Sequence, residues 1–153
     1  MFTHIAASFR KTFPGRQTEW LLTSVLIGWA AMLIINPDMF RTTATYANFG
    51  EIMSQSMWAM ACLYVGVARL AVLIVNGAWR RSPHLRAGLA FLTCLFWYQI
   101  TVGMLQSGTL STGLAVYPAF FLFDAINVIR AMGDAAVTDH HYEKQAAADG
   151  TSE

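Results

Sequence analysis

A chain of 153 residues is short enough to be a single domain, and 56% of it is hydrophobic against 12% charged. With a mean hydropathy of +0.43, that balance lies far from the roughly one-quarter charged residues of soluble domains and identifies an integral membrane protein. Net charge of +1 excludes nothing, but no strongly basic surface points to nucleic acid, and the lipid bilayer is the partner the composition implies.

Before any apolar window, MFTHIAASFRKTFPG places Phe2, Ile5, Phe9 and Phe13 three or four residues apart, with His4, Ser8, Lys11 and Thr12 facing away. The pattern predicts an amphipathic interfacial helix within residues 1–16, stopped by Pro14 and Gly15; a frayed terminus is the alternative.

Four apolar windows follow: Trp20 to Ile35, Gln55 to Val75, Ala87 to Gln106, and Gly113 to Ile129. Each approaches the roughly 17 to 25 residues that a helix needs to cross about 30 Å of hydrocarbon, the first at the short end. Backbone groups in lipid must be satisfied within the segment, so the windows are helices. The expected fold is all-α: a polytopic four-helix antiparallel transmembrane bundle over 17–133, with spans near 20–36, 55–75, 86–107 and 112–130. Residues 134–153 are expected to form a polar cytoplasmic tail, a short helical extension passing into disorder.

The connections carry the orientation. Arg10, Lys11, Arg16, Arg80, Arg81, Arg86, Arg130 and Lys144 fall on one side, and only Arg41 on the other. By the positive-inside rule both termini are cytoplasmic. TYA at 45–47 loosely resembles a signal-peptidase site, but it lies a full loop beyond the first window, which favours an anchor over a cleaved signal. Asn36, Pro37 and Asp38 form a turn. Tyr46, Phe49, Trp58 and Tyr117 are placed near the outer interface, Trp20 and Trp79 at the inner one. Ser82-Pro83 reads as an N-cap followed by a first helical residue. SGTLSTG at 107–113 is a tight turn that makes the third and fourth spans antiparallel neighbours.

In the second window Ala59, Cys62, Gly66, Arg69, Leu73 and Asn76 share one helical face; in the fourth, Gly113, Tyr117, Phe120, Asp124, Asn127 and Ala131 do so. Arg69 lies six residues short of Val75 and Asp124 six residues short of Arg130, both counting toward the cytoplasm, hence about 9 Å deep. A charge at the bilayer centre costs on the order of 2.5 to 3.5 kcal/mol on insertion scales. Equal depth therefore predicts an ion pair, in which a guanidinium engages a carboxylate through two parallel hydrogen bonds while Asn127 and Asn76 satisfy what is left. The competing reading has Arg69 snorkelling to the headgroups, which the short Asp124 side chain cannot do.

Gln99 and Gln106 share a face of the third span with Leu92, Leu95 and Val102, and serve either as interhelical hydrogen-bonding groups or as pore lining. Ser24 and Gly28 form a small-xxx-small pair that permits close helix approach. Cys62 and Cys94 fall at different depths and read as packing residues. No Walker loop, HExxH motif, metal-spaced cysteine set or Ser/His/Asp grouping occurs, and the four histidines, His4, His84, His140 and His141, lie outside the membrane interior. No cofactor, metal site or enzymatic activity is expected.

The runs RLAVLIVNGAWRRSPHLRA and GLAVYPAFFLFDAINVIRA resemble small four-span membrane proteins of proteobacterial tailed phages and prophages, over residues 57–135. The family's arginine, asparagine and aspartate correspond to Arg69, Asn76 and Asp124, and no catalytic or ligand role comes with them. The resemblance implies a phage-encoded inner-membrane protein, either a holin-like lesion former or a factor that modifies the host membrane, with itself or another membrane protein as partner. A small transporter, channel or accessory subunit is the alternative.

Overall fold

The computed structural model describes residues 14–78 and 83–150, without the side chains of Pro14, 76–78, 143 and 146–150. The described chain is helical throughout its length apart from short connections. A single 3-10 turn at Pro14–Arg16 leads into α1 (Gln17–Ile35), followed by the short α2 (Met39–Thr42), a second 3-10 turn at Ala44–Tyr46, and α3 (Phe49–Ile52). Three long helices complete the chain: α4 (Gln55–Ala78), α5 (Pro83–Gln106) and α6 (Gly113–Gly150). The helices α1, α4, α5 and α6 are each long and apolar enough to cross a membrane, and their backbone groups are satisfied internally, as a bilayer requires.

The strongest packing joins α5 to α6 and α1 to α4, while α4 against α5 and α1 against α6 close the ring. Successive long helices are thus antiparallel neighbours, and the two faces read from periodicity point inward. Ala59, Cys62, Arg69 and Leu73 are buried on α4; Asp124, Asn127 and Ala131 are buried on α6. A Cβ at Gly66 would sit 2.7 Å from Ile27 Cγ1, so the absence of a side chain there sets how closely α4 approaches α1. Cys62 and Cys94 are buried free thiols.

Several boundaries and placements differ from the sequence reading. Helix α1 starts at Gln17 and includes Glu19, whose charge ended the apolar window, because a partner on α5 neutralises it. Residues expected to dissolve into a tail continue α6 to Gly150. At 38 residues this helix is about 57 Å long, well beyond the hydrocarbon thickness. The proposed amphipathic helix lies outside the described residues except for Pro14–Arg16.

The connection between α1 and α4 does not spread along the interface. Phe49 and Trp58 are almost completely buried, where an interfacial position was expected, because α2 and α3 fold across the open end of the bundle. Phe49 packs against Trp29, Phe40, Tyr46 and Trp58 with ring centroids 5.5–6.3 Å apart. A Cβ at Gly103 would meet the Phe49 ring at 2.6 Å, so that glycine makes the seat for the ring. Tyr117 likewise leaves the interface and stacks on Trp97 at 6.1 Å. Gln55, the first residue of α4, holds this cap to α1: its amide donates to the carbonyls of Leu33 and Asn36 and accepts from the Phe40 N–H. Those carbonyls belong to the end of α1, where no intrahelical donor remains. The turn between α5 and α6 closes at Gly108, whose φ of +66° suits a residue without a Cβ.

Candidate functional site

The centre of the bundle is polar, and every long helix contributes to it. Arg69 Nη1 and Nη2 donate to Asp124 Oδ2 and Oδ1 at 2.8 and 2.6 Å, the two-pronged geometry that best matches guanidinium to carboxylate. Both groups are sealed from solvent, at 2% and 0% exposure. Snorkelling is excluded by that geometry: the arginine turns inward to α6 rather than along its helix to the headgroups.

Helix α5 completes the site with two neutral residues. Trp97 Nε1 donates to Asp124 Oδ2 at 2.9 Å. Thr93 Oγ1 accepts from Arg69 and lies 2.7 Å from Asp124 Oδ2 and 3.0 Å from the Ala90 carbonyl, the two acceptors within reach of its single proton. Asn127, one turn along α6, donates to Asp124 Oδ1 at 3.1 Å, and its own Oδ1 accepts from Thr18 of α1 at 2.9 Å. The carboxylate is thereby surrounded by donors from its own helix, α4 and α5, and the asparagine carries the network to α1. The other predicted member, Asn76, has its side chain outside those described.

A second charged cluster sits toward the end that carries the described N-terminal turn. Arg86 of α5 donates to Glu19 of α1 through Nε at 3.1 Å and Nη2 at 3.0 Å, and to Asp134 of α6 through Nη1 at 2.9 Å. Glu19 and Arg86 are buried, whereas the Asp134 side chain is 59% exposed. Sequence reasoning treated Arg86 only as a flanking positive charge. The signal was present in position: Glu19 and Arg86 immediately precede the first and third apolar windows, hence at the same level. Neighbouring residues on α1, Thr18 and Glu19, join the two clusters.

The glutamines fall elsewhere. Gln99 and Gln106 are exposed on the outward side of α5, so they neither bridge helices within the chain nor line a path through it. Ser24 and Gly28 are also exposed; the Ser24 hydroxyl bonds back to the Trp20 carbonyl, and no atom lies within 4 Å of a Cβ built at Gly28. The described glycines at which an added Cβ would crowd a neighbouring side chain are Gly66, Gly103 and Gly113. His84 reaches Asp139 at 3.2 Å on the surface. Among the described residues, no three His, Cys, Asp or Glu side chains come together to hold a metal ion.

These features define a multi-pass α-helical membrane protein with a buried ionic centre. No family model matches the chain, and neither a curated protein nor a solved structure is detectably similar to it.

Proposed function

We propose that this protein is a non-enzymatic component of a bacterial inner membrane that works as a closed bundle, both termini in the cytoplasm, and acts by associating within the bilayer. The supporting observation is the way the Arg69–Asp124 network fills the bundle centre. Its carboxylate oxygens are occupied by Arg69, Thr93, Trp97 and Asn127, so neither charge is left to bind a solute or pass a proton. Buried ion pairs contribute less to stability than to fixing one arrangement, which suits a scaffold more than a carrier. The likeness of the second and fourth spans to small phage membrane proteins supports a phage setting and a host-membrane-modifying role.

The holin-like reading draws on the outward Ser24 and Gly28, which leave α1 open to close approach by another helix. It also requires contacts within the chain to be exchanged for contacts between chains. Ala59, Cys62 and Gly66 are already committed to packing inside the bundle, and opening it would strand Arg69 and Asp124. Induced expression in a bacterium loaded with a potential-sensitive dye separates the two. Polarised, growing cells at high levels of inserted protein are expected for the closed bundle. Delayed depolarisation, with lysis when a cytoplasmic endolysin is co-expressed, overturns it in favour of lesion formation.

A further inference from the structure

The outward side of α5 carries glutamines that lipid contact does not require. Gly88, Leu92, Leu95, Gln99, Val102 and Gln106 follow one another at alternating spacings of four and three, the repeat with which two helices wind around each other at a shallow angle. The stripe lies opposite the buried face of the same helix, formed by Ala90, Thr93, Trp97, Ile100 and Met104. Along it, Gly88, Leu92, Leu95, Gln99 and Gln106 are exposed and Val102 is half-buried. No atom lies within 4 Å of a Cβ built at Gly88.

Gln99 sits seven residues from the outer end of α5 and sixteen from its start, about 10 Å and 24 Å along the axis. That depth is within the hydrocarbon and beyond the reach of a glutamine side chain to either headgroup layer. Its amide makes no hydrogen bond with any described residue, and lipid tails offer it none. We infer that the Gln99 stripe of α5 is a homodimer surface, on which the amide pairs with that of Gln99 in a second copy of this chain.

A second copy is the occupant that the chemistry selects. A carboxamide carries both donors and an acceptor, so two glutamines related by a two-fold axis can exchange a reciprocal pair of N–H···O bonds without a third group. Leucines at 92 and 95 and valine at 102 flank the pair as apolar knobs, and a polar residue set among apolar ones in such a seam fixes its register. The inference deepens the proposed function by naming the face through which the closed bundle associates. It is separable from that reading, because a monomer can equally leave the membrane sealed.

The test is Förster transfer between donor- and acceptor-labelled full-length protein in phosphatidylcholine and phosphatidylglycerol vesicles, titrated by lipid dilution. The parent is expected to dimerise, and Gln99→Leu to raise the dissociation constant about three- to tenfold, the size expected for one interhelical polar contact. Gln99→Asn retains the amide and is expected to fall between them. Unchanged heat resistance of Gln99→Leu in detergent shows that the bundle itself is intact. Oxidative cross-linking locates the face: Leu95→Cys is expected to form a disulfide dimer, while Val67→Cys, on the outward side of α4, is not. A chain monomeric at all dilutions, a Gln99→Leu protein that dimerises like the parent, or preferential cross-linking through Val67→Cys overturns the inference. Dye retention by the same vesicles reports separately on the closed bundle.

Discussion

The Trp97 indole N–H points at Asp124 Oδ2 from 2.9 Å away, on the carboxylate oxygen that also receives Arg69 Nη1. This makes the two halves of the ion pair unequal. Removing the arginine leaves Asp124 with the donors of Thr93, Trp97 and Asn127. Removing the aspartate leaves a buried guanidinium with the Thr93 hydroxyl as its remaining hydrogen-bond partner among the described residues.

Asp124→Ala is therefore expected to be the more damaging substitution, at about 3 to 5 kcal/mol for a stranded buried charge, with Arg69→Ala distinctly milder. The charge swap Arg69→Asp with Asp124→Arg is expected to recover little, since the N–H groups of Trp97 and Asn127 would face a cation. Thermal unfolding in detergent checks the order; equal losses, or full rescue by the swap, would show that the surrounding donors do not discriminate between the two charges.

Trp97→Phe retains an aromatic ring against Phe120, whose centroid lies 5.2 Å away, but removes the indole donor. Its expected cost is about 1.5 to 3 kcal/mol, the range for hydrogen bonds to charged groups. Trp97→Ala adds lost packing and is expected to fall below Trp97→Phe in melting temperature. If the two variants melt together, packing around the ring matters less than the hydrogen bond.

The ionic pair was legible in the sequence because a charge inside an apolar window stands out, and helical spacing gave the two charges a shared depth. Thr93 and Trp97 were not, since neutral residues in apolar helices carry no comparable signal. The same limit governs Gln99 and Gln106. Periodicity groups them on one face, but a helix bordered by lipid is apolar all round, so the pattern does not say which face turns inward. Phe49 and Trp58 escaped for another reason: interfacial aromatics are a statistical tendency, and folding of α2 and α3 across the bundle end depends on long-range contacts to Gln55 and Gly103.

That cap of α2 and α3 supplies a further expectation. Gly103→Ala would put a methyl group 2.6 Å from the Phe49 ring, and overpacking of this kind costs about 1 to 3 kcal/mol. Phe49→Leu in the same chain is expected to restore part of the loss by making room. A Gly103→Ala protein with the parent's melting temperature would mean that α3 moves aside freely.

At the other end, Arg86 is shared between a buried and an exposed carboxylate, which sets the order of three substitutions. Asp134 is largely exposed, and exposed ion pairs contribute about 0 to 1 kcal/mol, so Asp134→Ala is expected to be nearly neutral. Glu19 receives two of the three N–H groups that Arg86 donates and shields them from lipid and water. Glu19→Ala leaves a buried guanidinium with the exposed carboxylate of Asp134, and Arg86→Ala strands Glu19 within the bundle; both are expected to lower stability by several times the Asp134→Ala effect. The cluster also clamps the start of α1 to α5 and α6, so Glu19→Ala is expected to speed amide exchange in the first turns of α1 while leaving exchange around Arg69 and Asp124 close to that of the parent. Comparable protection of α1 in both proteins would show that apolar packing alone seats this helix, with Glu19 serving only to neutralise Arg86.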